Sequence, residues 1–248
     1  MNTKFVLVTG ASSGIGKEIA VQLSKGYNLI LHGRDLNRLN EVKSLCKTSD
    51  NHLIWQQDLN LVDEIENSLT SFLIQNKVEV DKYIHSAGYM KMAPLKISTL
   101  DVLKKTINTN IISASLICKV LTNKKANNIA LNSVVFISSN ISNMGAKGMS
   151  AYGASKGALD ALMRCLSIEL APKTRVNSVL PGAVLTEMTQ SIFENEEVKV
   201  RMDATYPLGI GEPNDIYQMV NFLLSNRSKW ITGQQFTVDG GRSINISG

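Results

Sequence analysis

Long apolar runs are missing from this sequence of 248 residues. No stretch approaches the ~18 consecutive apolar residues that a membrane-spanning helix needs. The apolar run at residues 5–8 is too short for the core of a signal peptide. We therefore expect a cytoplasmic protein with no membrane anchor.

Cysteine and histidine are scarce, with three residues of each. The cysteines are Cys46, Cys118 and Cys165. Their spacing fits no metal-binding motif, and three cysteines cannot all pair, so we expect reduced thiols and no metal site. The histidines are also isolated from one another, and each is predicted to be structural rather than a metal ligand.

Runs of one charge are absent as well. The net charge is +5 and the pI is about 9.0, but the basic residues are scattered in short pairs such as Lys104-Lys105. This pattern argues against a nucleic-acid-binding stripe and is compatible with a small anionic ligand. With 44% hydrophobic and 19% charged residues, the composition is that of an ordinary soluble globular protein.

Short apolar runs alternate with amphipathic helical stretches along the whole chain. This alternation is typical of βαβ units, whose right-handed crossovers place helices on both faces of a parallel sheet. We predict an α/β fold with a Rossmann-type doubly wound parallel sheet of about seven strands, in a single dinucleotide-binding and catalytic domain over residues 1–248. The segment at about 185–206 is predicted to be a substrate lid. Predicted strands cover residues 5–8, 28–31, 52–55, 82–85, 134–137, 175–180 and 235–238, and one long helical region covers 99–121.

A glycine-rich turn, Gly10-x-x-x-Gly14-x-Gly16, joins the first strand to the first helix. Glycines let the backbone turn tightly and approach a pyrophosphate, and the helix N-terminus then offers free N–H groups. The spacing differs from the Gly-x-Gly-x-x-Gly fingerprint, and a tight turn without a ligand is the alternative. We favour dinucleotide binding.

The end of the second strand bears on the choice of cofactor. It reads His32-Gly33-Arg34, with no carboxylate at the tip to accept from a ribose 2′-hydroxyl. The Arg34 guanidinium suits the 2′-phosphate of NADP, so we predict NADP(H) rather than NAD(H). Two alternatives stay open: Arg34 is a surface residue, and Asp35 either partly neutralises it or caps its own helix.

Ser139, Tyr152 and Lys156 form the candidate catalytic set. Tyr152 and Lys156 stand four residues apart, so on a helix they share one face. A neighbouring ammonium should lower the phenol pKa from its usual value near ~10 and make Tyr152 an acid/base. Ser139 follows a buried strand, at the end where ligands bind in open α/β sheets. A chance Tyr-x-x-x-Lys pair on a solvated helix is the alternative.

In this order and spacing, the motifs resemble the classical short-chain dehydrogenase/reductase family over essentially the whole chain, and most closely its 3-oxoacyl carrier-protein reductase branch. The matching pieces are Thr9-Gly10-x-x-x-Gly14-x-Gly16, Asp58, Ala87-Gly88, Asn110, Ser139, Tyr152-x-x-x-Lys156, Pro181-Gly182 and Asp239-Gly240-Gly241.

The resemblance implies catalytic roles for four residues. Tyr152 would protonate the carbonyl oxygen, and Ser139 would hydrogen-bond that oxygen. Lys156 would hold the nicotinamide ribose and lower the tyrosine pKa. Asn110 would hold a water that links Lys156 to solvent. Homotetramers are the usual assembly in this family, built on the helices near residues 99–121 and 152–170 and on the C-terminal strand.

The resemblance also implies cofactor contacts, from Gly10, Ser12, Ser13, Gly14, Ile15, Gly16, Arg34, Asp58, Leu59, Ser86, Ala87, Gly88, Tyr152, Lys156, Pro181, Gly182, Val184 and Thr186. Asp58 would accept from the adenine amino group, or is a plain loop or cap residue. One departure is His85-Ser86, where the family commonly has Asn-Asn. Ser86 has a shorter reach than asparagine, and His85 replaces a residue thought to tie neighbouring strands together.

The segments that would line a substrate pocket are rich in methionine. Six of the nine methionines fall there: Met90, Met92, Met144, Met149, Met188 and Met202. They suggest a pocket for a flexible or apolar ketone such as a 3-oxoacyl chain, although methionine also fills gaps in cores. Lys91 and Lys147 would meet an acidic carrier or a carboxylate, or are only solvated.

We therefore predict an NADP(H)-dependent enzyme that interconverts a ketone and a secondary alcohol, possibly a 3-oxoacyl thioester reductase. An NAD-linked sugar, steroid or polyol dehydrogenase is one alternative. A non-catalytic nucleotide-sensing scaffold is another, although such proteins usually lose part of the Ser/Tyr/Lys set.

Overall fold

A parallel sheet of seven strands is the centre of the fold in the computed structural model, which describes residues 4–129, 131–190, 194 and 196–245. Its order is β3-β2-β1-β4-β5-β6-β7. All neighbours pair in parallel, which confirms the predicted doubly wound sheet. The strands are β1 (Lys4–Thr9), β2 (Asn28–Gly33), β3 (Leu53–Gln56), β4 (Glu79–His85), β5 (Ser133–Ile137), β6 (Arg175–Pro181) and β7 (Gln235–Val238).

Helices cover both faces of the sheet. They are α1 (Gly14–Leu23), α2 (Leu36–Leu45), α3 (Val62–Asn76), α4 (Leu100–Ile107), α5 (Ser113–Thr122), α6 (Ser150–Glu169), α7 (Glu196–Thr205) and α8 (Pro213–Leu224). One apolar cluster joins α3, α5 and α6 to one face of the sheet, and a second joins α1, α2 and α8 to the other. Both faces of the central strands are therefore buried, which explains why these strands are continuous apolar runs.

The strand order reverses between β1 and β4. From β1 the chain builds outward through β2 and β3, and from β4 it builds in the opposite direction. Thr9 and His85, the last residues of these two strands, are paired in register. Their carboxyl ends open the crevice where open α/β sheets bind ligands, and the glycine-rich turn starts there.

The region predicted as one helix over residues 99–121 is interrupted. A π-helical segment, Asn108–Ile112, separates α4 from α5. The apolar spacing runs through this segment almost unchanged, so the hydrophobic pattern does not reveal it. π-Helical turns are often found at functional sites, and this one contains the buried Asn110.

The described residues cover only part of the predicted lid at about 185–206. Residues 191–193 and 195 lie outside the described residues, and the described part includes α7. That this segment acts as a lid stays a prediction. Among the described helices, none is both long and apolar enough to span a membrane.

Candidate active site

A cleft of about 490 Å³ opens at the carboxyl ends of the strands. Every residue predicted to contact the cofactor lines it, from Gly10 in the first loop to Thr186 after β6. Ser139, Tyr152 and Lys156 line the same cleft, and Asn110 is buried behind it. The structure thus brings the whole predicted site together.

The glycine-rich turn is packed too closely for larger residues. Gly10 has a φ of +68°, and a Cβ there would lie 2.8 Å from the Ala87 Cα. A Cβ on Gly16 would lie 2.1 Å from the Gly10 carbonyl oxygen. The N-cap residue Ser13 makes no side-chain capping bond, and the first turn of α1 has no acidic residue. This helix terminus fits the pyrophosphate of a dinucleotide.

At the end of β2, the structure decides between the two roles left open for Asp35. Its Oδ1 accepts from the backbone N–H groups of Asn37 at 2.9 Å and Arg38 at 3.1 Å, so it caps α2. Arg34 is exposed and lines the cleft, and within the described chain no carboxylate lies at ion-pair distance from it. Its guanidinium is therefore available to a phosphate.

Of the two roles that the sequence left as alternatives for Asp58, the structure shows the loop-capping one. Its Oδ1 accepts from the Asn60 N–H at 2.9 Å, which fixes the turn after β3. Its side chain also lines the cleft, next to the buried Leu59. The adenine contact predicted for Asp58 stays a prediction.

The catalytic set comes from β5 and α6. Ser139 follows β5, and its Oγ accepts from the Ile141 N–H at 3.3 Å. Lys156 is buried, and its Nζ donates to the Ile137 carbonyl oxygen at 2.8 Å. The same ammonium lies 5.6 Å from the centroid of the Tyr152 ring. One strand end and one helix face therefore fix all three groups.

The prediction that Lys156 lowers the tyrosine pKa is wrong for this arrangement. Burial raises the pKa of Tyr152 to about 12, with hydrogen bonding by Ser139 opposing the shift. Burial also lowers the pKa of Lys156 to about 8, against the opposing charge of Asp160. Both shifts have one cause: the site disfavours the charged form of each group. At neutral pH, Tyr152 is therefore a protonated phenol that can donate.

Asn110 anchors the loop after β4. Its Oδ1 accepts from the Tyr89 N–H at 2.7 Å, and its Nδ2 donates to the Tyr89 carbonyl at 3.0 Å and to Ser155 Oγ at 2.9 Å. A Cβ on Gly88 would lie 3.7 Å from both Asn110 Oδ1 and Lys156 Nζ, so these two groups converge at Gly88. The water-holding role of Asn110 stays a prediction.

His85 links neighbouring strands, although it stands where the family commonly has asparagine. Its Nδ1 lies 2.7 Å from the Tyr83 hydroxyl and 3.2 Å from Thr9 Oγ1, which links β4 to β1. Burial, with a smaller effect of the Lys156 charge, lowers the pKa of His85 to about 3. The ring is therefore neutral and structural.

Two predictions about the substrate end need correction. Met144 is half-buried away from the cleft, whereas Met90, Met92, Met149, Met188 and Met202 line it. Lys147 lines the cleft, but Lys91 does not. Met144 and Lys91 were assigned by the segment they belong to, and segment membership does not fix the direction of a side chain.

The sequence analysis missed several residues of the cleft, including Tyr89, Lys105, Thr109 and Tyr206. Lys105 and Thr109 stand four residues apart, and this spacing is the signal that could have placed them together on the face carrying Asn110. Tyr206 accepts from the Ala183 N–H at 3.0 Å and so fixes the loop after β6. In the described part of the chain, no three His, Cys, Asp or Glu residues converge as a metal site would require.

The chain matches known proteins along nearly all of its length. Residues 10–243 match a family profile described as "Enoyl-(Acyl carrier protein) reductase". The chain is 33% identical over 243 residues to the 3-oxoacyl-(acyl-carrier-protein) reductase FabG of Rickettsia bellii, covering 95% of each chain. It is 30% identical over 247 residues to carbonyl reductase family member 4 of Xenopus tropicalis, covering 98% of this chain and all of that one.

Solved structures agree with these matches. The structure of 4-hydroxyisoleucine dehydrogenase complexed with NADH superposes with a TM-score of 0.90 at 28% identity, covering 98% of this chain and 99% of that one. The fold, the motifs and the relatives lead to one conclusion: the chain belongs to the classical short-chain dehydrogenase/reductase family, whose members are oxidoreductases that bind a nicotinamide cofactor.

Proposed function

We propose that this protein is an NADP(H)-dependent oxidoreductase that interconverts a ketone and a secondary alcohol, with Tyr152 as the acid/base. One observation carries the proposal: Ser139, Tyr152 and Lys156 line the same cleft as the glycine-rich turn. A substrate carbonyl at Tyr152 would then lie beside the nicotinamide of a dinucleotide held on α1.

The cofactor, when bound, would supply the hydride for reduction of the carbonyl carbon. Tyr152, protonated at neutral pH, donates its proton to the carbonyl oxygen as the C=O π bond becomes an O–H bond. Ser139 donates a hydrogen bond to the same oxygen and stabilises its developing charge. Lys156 would hold the nicotinamide ribose, and with a pKa of about 8 its ammonium is suited to returning a proton to Tyr152. Oxidation reverses these steps.

The preference for NADP(H) rests on Arg34. It lines the cleft at the tip of β2, and Asp35 is occupied as the cap of α2. The 2′-phosphate of NADP is the cofactor group that a guanidinium binds best there. NAD(H) is the second candidate, because the structural neighbour named above holds NADH.

A 3-oxoacyl thioester is the favoured substrate. Five methionines line the cleft and provide adaptable apolar surface. The relative from Rickettsia bellii is named a 3-oxoacyl-(acyl-carrier-protein) reductase, which supports this assignment. Sugar, steroid and polyol carbonyls are the alternatives, because one fold serves many substrates.

We also infer a homotetramer. Leu100 on α4 and Ile168 on α6 are 65% and 78% exposed, and Trp230, shortly before β7, is 97% exposed. Apolar side chains so exposed on the two helices and near the C-terminal strand suit subunit contacts. Light scattering of the purified protein measures the particle mass and tests this directly.

The test of the proposed function is consumption of NADPH, and separately of NADH, by purified protein with acetoacetyl-CoA. We expect turnover with a higher kcat/KM for NADPH. Tight NADPH binding without turnover would keep the cofactor assignment and direct the search to sugar, steroid and polyol carbonyls. Absence of both binding and turnover would favour a non-catalytic scaffold.

A further inference from the structure

We propose that Lys105, with Lys147, forms an anion subsite at the substrate end of the cleft, so that the ketone substrate carries a carboxylate or phosphate. This inference rests on the proposed oxidoreductase function, and it favours an anionic ketone over the neutral acyl chain considered above. Neither lysine belongs to the motifs that carry the family resemblance.

Lys105 is directed into the cleft by α4, the helix that precedes the π-helical segment carrying Asn110. It lies on α4, one turn before Thr109, and both residues line the cleft. Its neighbour Lys104 is exposed and lies outside the lining. The two adjacent lysines therefore differ in direction, and only Lys105 can meet a bound substrate.

The Lys105 ammonium rests on the ring of Tyr89, another residue that lines the cleft. The Lys105 Nζ lies 4.7 Å from the centroid of the Tyr89 ring. The Tyr89 backbone is fixed at both its N–H and its carbonyl by the Asn110 side chain. The Lys105 ammonium therefore contacts the ring of a residue whose backbone is bound to Asn110. This contact with the ring restricts the motion of the ammonium.

The cleft as a whole is lined by more basic than acidic side chains. Among the described residues that line it, Arg34, Lys105, Lys147 and Lys156 are basic, and Asp58 is the only acidic residue. Arg34 and Lys156 serve the cofactor in our proposal, and Asp58 lies at the end of the cleft near β3. Nowhere in the described chain does a carboxylate lie at ion-pair distance from Lys105 or Lys147. An anionic group on the substrate would supply the missing partner.

Paired ketones with and without an anionic group test this inference. The pairs are acetoacetate with acetoacetamide, and dihydroxyacetone phosphate with dihydroxyacetone. We expect the wild type to favour the anionic member of at least one pair by about tenfold in kcat/KM, a typical effect of one close charge pair. The pair that shows the preference identifies carboxylate or phosphate.

Variants at the two adjacent lysines provide the control. Lys105→Met should abolish the preference for the anion, Lys105→Arg should retain it, and Lys104→Met should leave it unchanged. Equal activity on both members of each pair in the wild type would overturn the inference. If Lys105→Met lowered kcat/KM by the same factor for anionic and neutral substrates, that result would also overturn the inference.

A binding measurement separates failure of this inference from failure of the proposed function. Ligand-observed NMR gives the affinities of acetoacetate and dihydroxyacetone phosphate without any turnover. If none of the four ketones is reduced, the proposed function is judged on acetoacetyl-CoA, and the binding measurement alone decides about the subsite. Weaker anion binding to Lys105→Met than to Lys104→Met supports the inference, and equal binding overturns it.

Discussion

The Lys156 ammonium donates a 2.8 Å hydrogen bond to the carbonyl oxygen of Ile137, the last residue of β5. Ser139 lies two residues beyond that carbonyl. The bond therefore fixes the helix that carries Tyr152 and Lys156 against the strand that delivers Ser139. It also orients a cation that burial would otherwise disfavour.

The first prediction concerns the titration of Lys156 in the cofactor-free protein. Its pKa is lowered to about 8, with the Asp160 charge opposing the shift. Asp160 is buried one turn along α6, and its Oδ2 accepts from Ser138 Oγ at 3.0 Å. Asp160→Asn removes the opposing charge, so the Lys156 pKa should fall further. NMR of ¹³C-methylated lysines measures both values, with Lys156→Arg identifying the resonance. A Lys156 pKa near 10.5 in the wild type would contradict this account.

The second prediction concerns the tie between β4 and β1. His85→Leu should lower the free energy of unfolding by about 1–3 kcal/mol, because the buried Tyr83 hydroxyl loses its hydrogen bond to His85. His85→Asn should cost less, since an amide can still bond to Thr9. Urea denaturation of the two variants provides the measurement. Equal stability of His85→Leu and the wild type would show that the tie contributes nothing.

The third prediction is a dependence of stability on pH. The pKa of His85 is lowered from 6.5 to about 3 on folding, so the unfolded chain binds the proton more readily. Stability from the neutral ring is fully present above pH 6.5 and is lost as the pH falls from 6.5 towards 3. The loss is about 1.4 kcal/mol per pH unit in this window for one group. The free energy of unfolding should be measured against pH for the wild type and for His85→Asn, and the difference between the two curves gives the contribution of His85. Identical slopes for both proteins would show that His85 makes no such contribution.

The fourth prediction concerns cofactor choice. Arg34→Gln should weaken NADPH binding at least about tenfold, because a charge-assisted contact with the 2′-phosphate is lost. NADH lacks that phosphate, so its affinity should be unchanged. Fluorescence titration with both cofactors measures the effect. Arg227→Gln, an exposed arginine in the turn after α8, is the matched control. Equal losses for NADPH and NADH would point to a general effect on the cleft instead.

Much of the site could be predicted because its residues follow the ends of strands. Apolar runs locate the strands, and parallel pairing then brings Gly10, Ala87, Ser139 and Gly182 to one edge of the sheet. Every predicted cofactor residue lines the cleft for this reason.

The rest depends on tertiary contacts that periodicity does not encode. The π-helical segment at Asn108–Ile112 leaves the apolar spacing intact, so this interruption of the predicted helix was not predictable. The raised pKa of Tyr152 follows from burial, which only the folded chain reveals. The role of His85 as a tie required the positions of Tyr83 and Thr9.

Tyr152→Phe tests the central claim most directly. Single-turnover oxidation of NADPH should be measured with acetoacetyl-CoA for the wild type and the variant, together with NADPH affinity. Loss of a positioned general acid typically costs about 10²–10⁴-fold in rate, so we predict a loss of that size with unchanged NADPH binding. A variant that transfers hydride within a few-fold of the wild-type rate would contradict the assignment of Tyr152 as the acid/base.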